Sequence, residues 1–162
     1  MKLTIMDFKK FLSKDKTRPA LNGVAVNSYG KYIVATDGTK LLAVDTTLHP
    51  NLILQLKAVC DSDVYKRIEK GEELILTPTN GVWALSENPY PKWLQIIPTS
   101  STFVEMKHFR GDNLDLCDKA VFKAGIGQTW SVLADHSAGF LAPSTLNKDG
   151  VIVLLMPLRI NK

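Results

Sequence analysis

The sequence predicts an α+β fold: a mostly antiparallel sheet with helices on one side, built from repeated β-α-β-β-β units. Three observations predict it. Strand-like and helix-like stretches recur in one order, with restarts near residues 2, 53 and 103, a period of about 50 residues that implies a repeated supersecondary unit. Within a unit the strands are joined by short turns, which suit antiparallel neighbours. One such unit cannot bury its own apolar face, but several set side by side build a continuous sheet with a helix layer. The 162 residues can enclose a sizeable core, and 45% hydrophobic against 22% charged residues is an ordinary globular balance rather than a disordered one.

In the first unit "KLTIM" reads as a strand and "MDFKKFLSK" as a short helix. Phe8, Phe11 and Leu12 fall at i, i+3 and i+4 on its apolar face, with Lys9 and Lys10 outside it. "ALNGVAVNS", "KYIVAT" and "KLLAVDT" follow as strands, divided by "SYGK" and "TDGT". The second unit begins with "NLILQLK", read as a strand, and continues with the helix "CDSDVYKRIEKGE", capped by Asp61 or Ser62 and stopped by Gly71. "ELILTP" and "GVWALSE" are its further strands, and "NPYPKWLQIIP" is a proline-bearing connector. The third unit reads as strand "TFVEMK", helix "GDNLDLCDKAVFKAG", and strands "TWSVLAD", "GFLAPS" and "VIVLLMPLRI". Its helix carries acidic residues early and lysines late, as the helix dipole favours. Residues 1–98 thus form one domain of two units, and residues 99–162 half a domain of one unit.

The net charge of +4 is concentrated. The first 18 residues hold six basic side chains against Asp7 and Asp15, and the rest of the chain is balanced. Such a patch suits a polyanion such as nucleic acid, or is simply a solvated helix face. No apolar run reaches the roughly 18 residues of a membrane helix, and the N-terminus lacks the apolar stretch of a signal peptide. Cys60 and Cys117 form no CxxC pair. The expectation is a reduced, cytoplasmic protein without membrane contact.

Catalytic signatures are missing. His49, His108 and His136 do not pair with one another or with Cys or carboxylates at metal-ligand spacing. "AGIG" follows a helix and precedes a strand, the reverse of a phosphate loop, so Gly125 reads as a helix cap. There is no GxSxG elbow and no distinct carboxylate pair. The chain is therefore read as a non-enzyme with no cofactor and no metal. Trp83, Trp93 and Trp130 suit core packing better than base stacking, two of them lying inside strands.

"TDGT" alone indicates only a hairpin, with Asp37 and Gly38 as central residues that both tolerate φ > 0. Its company adds more. "TRPALNGVAV", "VATDGTKLLAV", "YPKWLQIIP" and "VLLMPLRI", in that order, resemble four segments of the bacterial DNA polymerase III β sliding clamp family. These are the opening of its central domain, its V-A-T-D-G-H-R-L-A-V hairpin, the F-P-D-Y-x-x-x-x-P junction and the chain end V-V-M-P-M-R-L. A clamp chain has three domains of two units each, so the likeness corresponds to the central domain plus half of the last.

The resemblance implies a clamp-like fold and a non-enzymatic role as a replication accessory. It also implies a surface pocket for short Q-L-x-L-F-like peptides of polymerase or repair proteins. Carried over, that pocket uses Leu21; Thr36, Gly38, Thr39, Lys40 and Leu41; Pro98; and Leu154, Leu155, Met156, Pro157, Leu158 and Arg159. Leucine, methionine and proline walls suit a partner's Leu and Phe. Where the family carries His-Arg, this chain carries Thr39-Lys40. Family helices face duplex DNA, which makes Lys9, Lys10 and Lys14 the expected DNA-facing residues, whereas Asp112, Asp115 and Asp118 disfavour phosphate on the third helix. Any such binding is sequence-independent and salt-sensitive. The unit arithmetic allows a homo-oligomeric ring. The alternative is a stand-alone nucleic-acid-binding module without clamp partners.

Overall fold

The computed structural model describes residues 2–79, 81–96, 116, 117, 119, 120, 123, 131, 132 and 144–155. The chain opens with helix α1 (Ile5–Lys9), followed by a 3-10 turn (Pro19–Leu21) and strands β1 (Val24–Ser28), β2 (Tyr32–Thr36) and β3 (Lys40–Asp45). Helices α2 (Asn51–Leu56) and α3 (Ser62–Glu69) precede strands β4 (Leu74–Pro78) and β5 (Trp83–Ser86). A second 3-10 turn (Trp93–Ile96) and strands β6 (Ser131–Val132), β7 (Ser144–Lys148) and β8 (Val151–Leu155) complete the described elements. None of the described helices is long and apolar enough to cross a membrane.

Two expected opening strands are helical instead. In "KLTIM" the helix starts at Ile5, because Asp7 reaches back as in a capping box: the Thr4 N–H donates to Asp7 Oδ2 at 2.8 Å, while the Asp7 N–H makes the first turn's backbone bond to the Thr4 carbonyl at 3.0 Å. In "NLILQL" the three leucines betray the period. Leu52 and Leu56 are buried while Leu54 is 63% exposed; a strand would set all three on one face, whereas a helix separates them. α3 matches its expected bounds closely, with Asp61 at the N-cap and Gly71 at φ +83 just past its end. The third helix is seen at Leu116, Cys117, Lys119, Ala120 and Lys123. "TFVEMK", Gly125 and the division at residue 98 lie outside the described residues.

The eight described strands form one antiparallel sheet in the order β5-β4-β1-β2-β3-β8-β7-β6. Strands of the first unit hold the centre, those of the second add beyond β1, and those of the third add beyond β3. The fold is therefore α+β, and its helices cover one face. Ile5 and Phe8 of α1, Leu52 and Leu56 of α2, and Tyr65 and Ile68 of α3 pack on Val24, Val26, Ile33, Ala35, Leu42, Val44, Val153 and Leu155. Alternate strand residues point the other way, where Ala25, Val34, Leu41, Ala43, Ile152 and Leu154 gather under Trp93. Trp83 and Trp93 are both core residues, at 3% and 1% exposure. Trp93 donates from Nε1 to Ser28 Oγ at 2.9 Å and meets Tyr29 and Tyr32 edge-on. Trp130 lies outside the described residues.

Two Asp-Gly pairs turn the sheet. Between β7 and β8 both Asp149 (φ 53) and Gly150 (φ 77) take positive φ, as a type I′ turn requires. The strand entering it is described over Ser144–Lys148; of "GFLAPS", residues 139–143 lie outside the described residues. Between β2 and β3 the expectation of two positive-φ central residues fails: of the pair only Gly38, at φ 90, is positive. Asp37 N–H donates to the Lys40 carbonyl at 3.4 Å, so Gly38 and Thr39 are the central residues. Glycine in first place is the type II′ signature.

Candidate functional site

The β2–β3 hairpin tip is held by its own polar side chains. Asp37 Oδ1 accepts from the Thr39 N–H at 2.8 Å, from Thr39 Oγ1 at 2.7 Å and from the Lys40 N–H at 3.0 Å, an Asx-type turn. Its Oδ2 is ion-paired with Lys40 Nζ. Burial pushes the Asp37 carboxyl up, but the hydrogen bonds from Lys40 and Thr39 outweigh it, and the group sits below the ordinary carboxylate value. Thr36 Oγ1 donates to the Lys40 carbonyl at 2.7 Å and accepts from the Gly38 N–H at 3.1 Å.

Two distant segments meet this tip. A β-carbon at Gly38 would lie 3.7 Å from Leu21 Cδ1 and 3.7 Å from Arg18 Nη1, so the "ALNG" segment stands directly against the turn. Gly23 of that segment is required for packing: a β-carbon there would come within 2.6 Å of Ile75 Cγ2 on β4. On the other side β8 pairs with β3, setting Leu154 opposite Leu41 and Leu155 opposite Lys40. Opposed residues share a face. Leu41 and Leu154 therefore lie together on the Trp93 side, while Leu155 joins the helix-side core.

Of the expected peptide-site residues, the structure gathers Leu21, Thr36, Gly38, Thr39, Leu41 and Leu154 at one end of the sheet. Leu21 is half-buried, Gly38 and Thr39 are exposed, and Leu41 and Leu154 are fully buried beneath Trp93. Lys40 and Leu155 point to the opposite face. Pro98, Met156, Pro157, Leu158 and Arg159 lie outside the described residues. Sequence reasoning passed over Arg18 and the bonding role of Asp37. The first was counted only as charge, and the second only as a turn former.

Lys9, Lys10 and Lys14 are exposed. Lys10 Nζ comes within 4.0 Å of Asp7 Oδ1, but buried Asp7 is already bonded to Lys123 Nζ at 2.5 Å. Lys9 and Lys14 have no ion-pair partner among the described residues. The neighbouring α2 carries no charge and exposes Leu54. Asp112, Asp115 and Asp118 lie outside the described residues. Among the described residues, no three His, Cys, Asp or Glu side chains gather as a metal site.

No protein-family model matches the chain, and no curated protein matches it at a significant level. It is similar to solved sliding-clamp structures. The beta sliding clamp of C. crescentus is 16% identical over 96% of this chain and 63% of that one, with a TM-score of 0.42. The DNA polymerase sliding clamp from Bacillus subtilis is 13% identical, with 96% and 62% covered and a TM-score of 0.42. A second Caulobacter crescentus structure, pol III beta, is 15% identical over the same shares, with a TM-score of 0.41. The chain thus spans less than two thirds of the length of these clamps.

Proposed function

We propose that this chain is a non-enzymatic, clamp-like replication accessory that takes a short Q-L-x-L-F-type peptide from a polymerase or repair partner at the β2–β3 tip. One observation carries the reading. Leu21, the 36–41 hairpin and Leu154 belong to three of the four clamp-resembling segments, and they converge at one end of the sheet. Leu21, Gly38 and Thr39 form the accessible surface, backed by the buried Leu41 and Leu154, and the exposed part of Leu21 suits leucine and phenylalanine side chains.

Calorimetric titration of a Q-L-x-L-F peptide tests this. Saturable binding is expected, weakened about tenfold by Leu21→Ala, the loss of roughly 1.4 kcal/mol of apolar contact. Leu21 belongs to neither core cluster, so the variant should fold. Met156→Ala is expected to weaken binding as well. The absence of heat at high micromolar peptide would refute the reading.

A second reading, sequence-independent binding of duplex DNA, is supported by the exposed Lys9, Lys10 and Lys14. Replacing all three by glutamate should abolish retention on duplex DNA at low salt and leave peptide binding unchanged. Retention that survives the triple change would end this reading.

A further inference from the structure

We propose a second binding site, independent of both readings above: a cavity on the helix side that takes a small phosphate monoester with an apolar body. The cavity, of about 330 Å³, lies between the residues leading into α1, the 48–55 stretch and Lys123 of the third helix. That volume suits one small molecule. Leu3, Leu48, Pro50 and Leu52 supply its apolar wall, and Lys2, Gln55 and Lys123 its donors. Among the described residues no aspartate or glutamate lines it.

Its walls are fixed by contacts of the fold. His49 Nε2 donates to the Asp149 carbonyl at 2.9 Å, which ties the stretch before α2 to the β7–β8 turn. Leu48 packs on the same turn so closely that a β-carbon at Gly150 would lie 2.8 Å from its Cδ1. Gln55 Oε1 accepts from the Ile5 N–H at 2.9 Å, which occupies the oxygen and leaves the amide nitrogen to donate. Lys123 Nζ gives one N–H to Asp7 Oδ1 at 2.5 Å, and an ammonium has two more. Asp7 also faces Lys10 at 4.0 Å, so one carboxylate stands against two ammoniums, and Lys2 adds another. Lys2 has no ion-pair partner among the described residues. The cavity therefore offers N–H donors and excess positive charge beside an apolar wall. A phosphate monoester carries about two negative charges at neutral pH on oxygens that only accept, and lysine binds it as a point charge. A phosphodiester within duplex DNA carries a single charge and is flanked by sugars, so it matches neither the charge nor the leucines.

Calorimetric titration of the full chain with phenyl phosphate, inorganic phosphate and phenol provides the test. Phenyl phosphate should bind saturably, inorganic phosphate about tenfold more weakly for want of the apolar body, and phenol without measurable heat. Gln55→Glu keeps an oxygen for the Ile5 N–H but replaces the amide donor by a negative charge, and should abolish binding. Lys2→Gln should weaken it by about tenfold. Lys2 is exposed, so this variant keeps the fold and tests the charge whatever Gln55→Glu does to stability. No heat from phenyl phosphate would overturn the proposal, as would a folded variant of either kind that binds as tightly as the unaltered protein. Inorganic phosphate bound as tightly as phenyl phosphate would mean an adventitious ion only, and the proposal would fall. Displacement of phenyl phosphate by duplex DNA with unphosphorylated ends would assign the lysines to the DNA backbone and overturn it too.

Discussion

Asp37-Gly38 and Asp149-Gly150 are the same dipeptide between paired antiparallel strands, yet they build different turns. At 149–150 both residues take positive φ, and the turn is fixed by backbone contacts. Gly150 O accepts from the Asp45 N–H at 2.7 Å, and the Asp149 carbonyl accepts from His49 Nε2 at 2.9 Å. At 37–38 the aspartate stays outside the left-handed region and its side chain does the bonding. The first turn uses its dipeptide for conformation and the second uses it for chemistry. An Asp-Gly pair thus predicts a reversal, while the neighbours decide which residue turns it.

Substituting the two glycines should show this difference at its largest. Gly150→Ala meets two penalties: a φ of 77 and a β-carbon 2.8 Å from Leu48 Cδ1. Left-handed backbone for alanine and overpacking together should cost about 3 kcal/mol. For a domain of this size that lowers the melting temperature by about 6–12 °C. Gly38→Ala meets only the conformational penalty, because the nearest atoms would be 3.7 Å away, and about 2 kcal/mol is expected. Urea denaturation of both variants gives the ranking. A Gly38→Ala loss at or above that of Gly150→Ala would break the comparison.

The sequence was legible where local signals agreed. β1 to β4 are β-rich runs bounded by turn residues, and α3 has Asp61 before it and Gly71 after it. It was illegible where two periods fit the same letters. "NLILQL" alternates as a strand would, yet only burial separates Leu54 from Leu52 and Leu56. The capping box of α1 was present in Thr4 and Asp7, but the apolar β-formers Leu3 and Ile5 around them argued for a strand. The site was legible through resemblance alone. Leu41 and Leu154 are brought together by pairing between strands more than a hundred residues apart, and no local pattern encodes that. The bonds of Asp37 were hidden because aspartate before glycine is explained by the turn itself.

A smaller effect tests the chemistry of the 37–38 turn. Asp37→Asn retains an oxygen for Thr39 but removes the charge facing Lys40, and should cost about 1 kcal/mol at neutral pH. The folded carboxyl titrates below its ordinary value of 3.8. Its contribution is therefore fully present above the unfolded value and is lost as pH falls through the lower folded one. The stability gap between the unaltered protein and Asp37→Asn should be constant near neutrality and close below about pH 4. A gap that persists unchanged in acid would mean that the pair does not stabilise the tip.

The smallest effect is the same substitution at the other turn. Asp149 is exposed, and its place in the turn is set by φ 53 and by its carbonyl rather than by its carboxylate. Asparagine tolerates the left-handed region as readily as aspartate and leaves the His49 bond intact. Asp149→Asn should therefore change stability by no more than about 0.5 kcal/mol. Equal losses from Asp37→Asn and Asp149→Asn would make the two turns equivalent after all. A loss confined to residue 37 assigns the carboxylate its role there, because backbone conformation is the one feature that both substitutions leave untouched.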